Sequence, residues 1–371
     1  MDYLSNHQLL TIPDNPKDYQ HWLSILEANR LMPVAARQLV TEKLPTDIRI
    51  RLNEAYAQSQ ALWLLRKYET NRAIEILEQS PAIPFVLLKG AALANTVYPE
   101  PAQRPMNDVD FLIPSDSLDL LIERFKSYGY VEEGHTQGSD IIKQYEICFS
   151  TPRSNSRLEL EFHSIFPHLP LGQESQAMTW FWSQLESFQF AGNTVKGLNP
   201  TASVLYLSSH ALQQHGMAQM PLIWIYDIYL ILREKAADID WQELFDVAKV
   251  FQWEASLFYA CKLAEEYFSL SLPTPMLQWI SHDISKLSGI DTVRVLMNKD
   301  VTRSMRVIQF FSKLPPLRRF QYSIRLLFPS IKYMRKHYGI SNNVYLPFTY
   351  LYRWYDITRD IFTTIQQNFN R

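Results

Sequence analysis

Cysteine is nearly missing from this chain: Cys148 and Cys261 are the only two in 371 residues, far apart and in no CxxC or Cys/His spacing. That excludes a disulfide framework and a cysteine-built zinc site, and leaves two ordinary buried thiols as the expectation. Signature loops are missing too. There is no GxxxxGK[ST], GxGxxG, HExxH or GxSxG, which argues against a P-loop ATPase, a Rossmann dehydrogenase, a zincin protease and an α/β-hydrolase. The formal net charge is only −2, so the molecule as a whole has no field that would gather nucleic acid or acidic membrane, and any such attraction must be local. Long apolar runs are also lacking. The richest stretch, Pro221 to Leu232, is interrupted by Asp227 and falls short of the roughly 20 residues a spanning helix needs. The opening MDYLSNHQLL has no basic segment followed by an apolar one and does not read as a signal peptide, so a cytoplasmic protein is expected.

What is present is core material: 47% of residues are hydrophobic and 13% aromatic, too much for a disordered chain. From about Asp18 to Gln79 the apolar residues recur at helical spacing, with Trp22, Leu23, Ile25, Leu26, Leu62, Leu65, Ile74 and Leu77 as expected buried positions. After Pro81 to Pro84 the run Phe85-Val86-Leu87-Leu88, closed by Lys89-Gly90, suits a buried strand entering a tight turn, and Ala91 to Val97 a short helix. Val109 to Ile113 reads as a second strand, Leu118 to Tyr128 as a helix stopped by Gly129, and Ile141 to Ser150 and Arg157 to Ser164 as further strands. Beyond about Asn199 the pattern is helical, in segments that form either a second domain or a cap over the sheet. The expected organisation is a helical segment at 1–80, a sheet-bearing core at 81–197 and a helical region at 198–371.

The chemistry lies in acidic residues at strand spacing. Asp108 and Asp110 flank Val109, and residues i and i+2 of a strand point to one side, so their carboxylates converge. Like charges that close call for a protonated partner or a cation, and hard oxygen ligands select magnesium or manganese. Glu159, Glu161 and His163 share a face of another strand, where pairing could bring a third carboxylate to the metals. The alternative is a solvated face and an Asp pair that only caps a turn. At Lys89-Gly90-Ala91, glycine lets backbone approach a phosphate, and the helix start supplies free N–H groups.

Together, LLKGAALANTVYPEPAQRPMNDVDFLI, then LELEFH, LYLSSHALQQH, LIWIYDIYLIL and IDWQEL resemble the uncharacterised nucleotidyltransferase family of the DNA polymerase β-like superfamily, over about residues 60 to 270. The resemblance implies an α+β fold, a small mixed β-sheet of polymerase-β-like type flanked by helices. It implies that Gly90 and Ala91 stand at the phosphate turn, that Asp108 and Asp110 are paired metal ligands, and that Glu161 is the third carboxylate. The activity implied is magnesium- or manganese-dependent transfer of a nucleoside monophosphate from a nucleoside triphosphate such as ATP to an acceptor hydroxyl, with release of pyrophosphate. Two departures stand out: Ala91 lacks the serine hydroxyl many members offer a phosphate, and Glu161 replaces a more usual aspartate.

Lys89 and Arg104 are the cations nearest the Asp pair in sequence. Arg104 could bridge triphosphate oxygens or form a salt bridge to one of the aspartates. His210 and His215 lie about 140° apart around an α-helical axis, and core hydrogen bonding or a place at the site are both open. Trp224, Tyr226 and Tyr229 suit packing or base stacking. Residues 301–339 carry Arg303, Arg306, Lys313, Arg318, Arg319, Arg325, Lys332, Arg335 and Lys336 with no acidic residue. That segment fits RNA, an anionic membrane, or the acidic remainder of the protein. A catalytically weakened module binding RNA or a partner through it is the alternative reading. The acceptor, whether small molecule, protein or RNA, is not written in the sequence.

Overall fold

A computed structural model describes residues 9–39, 41–133, 146–151, 158–166, 169–170, 172–217, 220–280, 284–297, 328, 334, 338 and 345–369. Nearly all of the basic segment 301–339 and the expected strand residues 141–145 lie outside them.

Three helices open the described chain: α1 (Tyr19–Ala28), α2 (Met32–Gln38) and the long α3 (Thr46–Leu77). Trp22, Leu23 and Leu26 are buried as their spacing predicts. Helix α3 is different. Leu62 and Leu65 are 38% and 54% exposed, and the inward stripe instead passes Ser59, Thr70, Ala73, Ile74 and Leu77. Because that stripe carries polar residues, apolar spacing alone pointed to the wrong face of its middle turns.

Seven strands form one mixed sheet in the order β3-β4-β5-β2-β1-β7-β6. They are β1 (Val86–Leu87), β2 (Asp108–Leu112), β3 (Val131–Glu133), β4 (Glu146–Ser150), β5 (Glu159–His163), β6 (Leu185–Phe190) and β7 (Asn193–Leu198). Strand β2 runs parallel to β5 and antiparallel to β1, while β4 and β5 are antiparallel. Helix α4 (Lys89–Thr96) follows β1, and α5 (Leu118–Ser127) follows β2. Gly129, at φ 81°, takes the left-handed turn that ends α5, as expected of a glycine there.

Alternation divides the sheet. Val109 and Phe111 of β2, Leu160 and Phe162 of β5, and Ile147 and Phe149 of β4 share one apolar cluster with Leu121 and Phe125 of α5 and Ala73, Ile74 and Leu77 of α3. Within it Phe111 stacks on Phe162 at 4.9 Å, and Phe125 meets Phe162 edge-on at 4.9 Å. The other face carries Val86, Leu88 and Leu112 into a larger cluster built from α1, α2, α6 (Glu174–Ser183), α7 (Pro200–Ser209), α8 (Ile223–Glu234), α9 (Trp241–Val250) and α10 (Glu254–Phe268). The N-terminal and C-terminal helices therefore draw on one core, which packs directly on the sheet. Asn29 ties them, accepting from Leu222 N at its side chain (3.1 Å) and from Ile223 N at its carbonyl (3.3 Å).

Candidate metal and nucleotide site

The polar face of β2, β4 and β5 is a lattice fixed by strand register. Asp108 is level with Glu159, Asp110 with Glu161, and Leu112 with His163; on β5's other side Glu161 is level with Cys148 and His163 with Glu146. All of these side chains alternate with the buried aromatic face and so point the same way. Ligand atoms of Asp110, Glu161 and His163 lie within 4.8 Å of one another, as do those of Glu146, Cys148 and Glu161. Asp108 stands on the same face but belongs to neither group.

Asp110 is the centre. Its Oδ1 accepts from Lys89 Nζ at 2.6 Å and lies 2.9 Å from His163 Nε2, with the aspartate side chain only 3% exposed. Burial would raise its pKa, but the Lys89 charge and the His163 contact overcome that and hold it well below the usual carboxylate range. Glu161 is less well compensated: burial first, then the charge of Asp110, outweigh the Lys89 charge and push it up to about 10. Asp108 is raised for the same two reasons in the same order. The carboxylates thus cannot all ionise with Lys89 as their principal counter-charge, and a hard divalent cation at Asp110 and Glu161, with His163 as a nitrogen donor, fits the donor set. The Lys89 ammonium already occupies the position of a positive charge there. Lys89 itself is held at φ 44°, a left-handed conformation a non-glycine residue adopts only at a cost.

The neighbouring turn differs in detail from its sequence reading. Gly90 lies in the first turn of α4, and a Cβ there would stand 3.5 Å from Arg104 Cζ and from Met106, an ordinary contact. Ala91 is buried in the apolar cluster with Phe111 and Phe162. Arg104 makes neither of the contacts with Asp108 or Asp110 that its position in sequence suggested. Its guanidinium is clamped on Asp227 of α8, with Nε 2.8 Å and 3.0 Å from the two oxygens and Nη2 2.8 Å from Oδ2, while Nη1 donates to Pro105 O at 2.6 Å. Tyr98 OH donates to Asp227 Oδ1 at 2.7 Å. Asp227 is fully buried, and its charge, outweighing the burial penalty, keeps Arg104 firmly protonated. This pair fastens the loop entering β2 to the helical region.

Tyr206 and His210 form the wall beyond Lys89. The Lys89 ammonium is 6.0 Å from the Tyr206 ring centre. Residues His210–His215 form a π-helical turn continuing α7, closed by Gly216 N donating to Ala211 O at 2.9 Å. The wider turn brings residues five apart together, so the two imidazoles, 140° apart in an α-helix, sit 4.8 Å from each other, each against Trp224 at 4.6 and 4.8 Å. Burial first, then Lys89 and His215, lower the pKa of His210 well below its ordinary value. No residue preference in HALQQH announces a π turn.

Other members of the site were also hard to see. Glu146 and Cys148 join the carboxylate face because β4 alternates as β5 does, Cys148 Sγ lying 3.4 Å from Glu146 Oε1. Arg66 of α3 is close enough to Asp108 to feel its charge, though 42 positions separate them in the chain.

A profile of the family described as uncharacterised nucleotidyltransferase matches residues 15–269, well over half of the chain. The chain belongs to that family. No curated protein matches this chain. Among solved structures it is similar to an antigenic nucleotidyltransferase-like protein from Paracoccidioides brasiliensis, at 16% identity and a TM-score of 0.34, over 53% of this chain and 93% of that one. It is also similar to the antibiotic-resistance factor ANT(2'')-Ia, at 12% identity and a TM-score of 0.35, over 56% of this chain and 97% of the other. Among the described residues, no helix is long and apolar enough to cross a membrane.

Proposed function

We propose that this family member is a magnesium- or manganese-dependent nucleotidyltransferase that moves a nucleoside monophosphate from a nucleoside triphosphate to an acceptor hydroxyl. The observation that carries the reading is the parallel register of β2 and β5, which sets Asp110 beside Glu161 and brings their ligand atoms and that of His163 within 4.8 Å. On this reading the catalytic core is 81–197, with the helical segments 1–80 and 198–371 around it. Asp108, Asp110 and Glu161 are the metal ligands, and Lys89, Gly90, Ala91 and Arg104 form or brace the nucleotide turn.

Bound at these carboxylates, a divalent cation supplies the charge that lets Asp110 and Glu161 ionise together and offsets charge gathering on the leaving pyrophosphate. The chain's own groups do the rest. Lys89 keeps Asp110 in its ionised form and sets a positive charge at the head of the phosphate turn. The acceptor oxygen bonds to the α-phosphorus, the bond from that phosphorus to the α,β-bridging oxygen breaks, and pyrophosphate leaves with the electron pair. The hydroxyl proton passes to Glu161. Arg104 contributes by position: anchored on Asp227, it backs Gly90 from inside and holds the approach to β2 in place.

The test is incubation with α-labelled nucleoside triphosphates and Mg2+ or Mn2+, with and without hydroxylated small molecules, RNA and proteins as acceptors. Label transfer by wild-type protein and its loss in Asp110→Asn support the reading. No transfer to any acceptor, together with no metal-dependent nucleotide binding, overturns it.

A further inference from the structure

The polar face of the sheet is rich in negative charge, and a nucleoside triphosphate would bring more. Lys89 spends its ammonium on Asp110, and Arg104 spends its guanidinium on Asp227 and Pro105. Neither cation offers the triphosphate a free fork.

Helix α3 supplies one. Its inward stripe descends in steps of three and four: Ser59 Oγ donates to Ala102 O at 2.6 Å, Trp63 meets Phe190 edge-on at 6.1 Å, and Thr70, Ala73 and Leu77 are buried. Arg66 occupies the step between Trp63 and Thr70. Its Nε is buried without a hydrogen-bond partner among the described residues. An unsatisfied buried guanidinium donor is costly, and proteins seldom leave one without a use. Burial foremost lowers its pKa, the Asp108 charge favours its protonated form, and the guanidinium of Arg30 stands near enough to repel it. Arg30 in turn sits at φ 59° where the chain leaves α1, a left-handed site glycine usually fills. Arg66 thus has a buried donor with no acceptor, within electrostatic reach of both the Asp108 carboxylate and a second guanidinium, and an anion would answer both.

We propose that Arg66, with Arg30 beside it, is the anion-binding arm of this site and takes the triphosphate of the metal-bound nucleotide. This rests on the nucleotidyltransferase reading above. The planar fork of Arg66 presents paired N–H donors that match two phosphate oxygens, and the incoming negative charge relieves its repulsion with Arg30. Arg104 is thereby separated from substrate and acts as a positioning residue, while the phosphate contact comes from a helix outside the sheet.

Calorimetric titration of full-length protein with inorganic tripolyphosphate in saturating Mn2+ tests the arm without requiring the preferred base. Arg66→Met is expected to weaken tripolyphosphate binding about tenfold or more, the scale of a lost hydrogen bond to a charged group, and Arg66→Lys is expected to fall between. Binding of Mn2+ alone should be unchanged or tighter, because a neighbouring cation is removed, and the melting temperature should not drop. That split separates an anion-binding role from a structural one, which would lower stability and leave the two affinities in their original ratio. Unchanged tripolyphosphate affinity in Arg66→Met, or a loss fully accounted for by unfolding, overturns the proposal. Wild-type protein that binds Mn2+ but not tripolyphosphate overturns the arm and leaves the metal site standing, and protein that binds neither overturns both.

Discussion

Strands β2, β4 and β5 present two faces made from alternate residues of the same short segments, and the two obey opposite rules. On one, Phe111, Phe149, Phe162 and their neighbours are fully buried against Phe125, and water exclusion is all that is required. On the other, Asp110 and His163 are buried almost as deeply, yet each has a charged neighbour to answer. The apolar face is stabilised by area. The polar face is tolerated because Lys89 stands against Asp110 and because Glu161 holds its proton. A sheet can therefore carry a site at little expense to its foundation, provided the second face receives its counter-charge from outside the sheet.

Substitutions should separate the faces. Phe162→Ala, on the apolar face, is expected to cost about 3 to 5 kcal/mol in chemical denaturation, since it opens a cavity among Phe111, Phe125 and Phe149. Metal affinity of the molecules still folded should change little; a selective loss of metal binding without loss of stability would blur the distinction. Asp227→Ala should cost a similar amount, about 3 to 5 kcal/mol, by leaving the Arg104 guanidinium buried and unpaired, and the double change to Asp227→Ala with Arg104→Met should regain much of it. If the double variant is no better than the single, the pair is not the anchor described above.

Lys89→Met probes the polar face itself. It should lower stability by about 1 to 3 kcal/mol, as expected when a buried charged group loses a partner, and Mn2+ should then raise the melting temperature by more than it does in wild type. An equal or smaller Mn2+ effect would mean that Lys89 does not stand in for a cation. Smallest of all is Gly90→Ala, expected within about 1 kcal/mol and on the stabilising side, because the added methyl finds neighbours at ordinary contact distance in a helical turn. A large loss would show that the turn has no room for a methyl group.

The sheet's chemistry was legible because strand alternation is local: Asp108, Asp110, Glu159, Glu161 and His163 reveal their common side within a few residues. The helical embrace was not. Arg104 and Asp227 are 123 positions apart, and nothing at either one names the other. Arg66 was hidden because the inward stripe of α3 is partly polar, so the exposed Leu62 and Leu65 drew attention to the opposite side. The His210–His215 pairing depends on a π turn, for which spacing rules written for 3.6 residues per turn give the wrong angle. The family itself was readable from the run of motifs, whereas the acceptor depends on surfaces no motif encodes.

Direct titration with Mn2+, followed by electron paramagnetic resonance of the free ion, tests the central claim that Asp110 and Glu161 share a divalent cation. Wild-type protein should bind the ion, and Asp110→Asn, folded as wild type, should lose affinity by more than the roughly 10- to 100-fold that removal of an outer partner costs. No binding to wild type, or equal binding to both, would contradict the account.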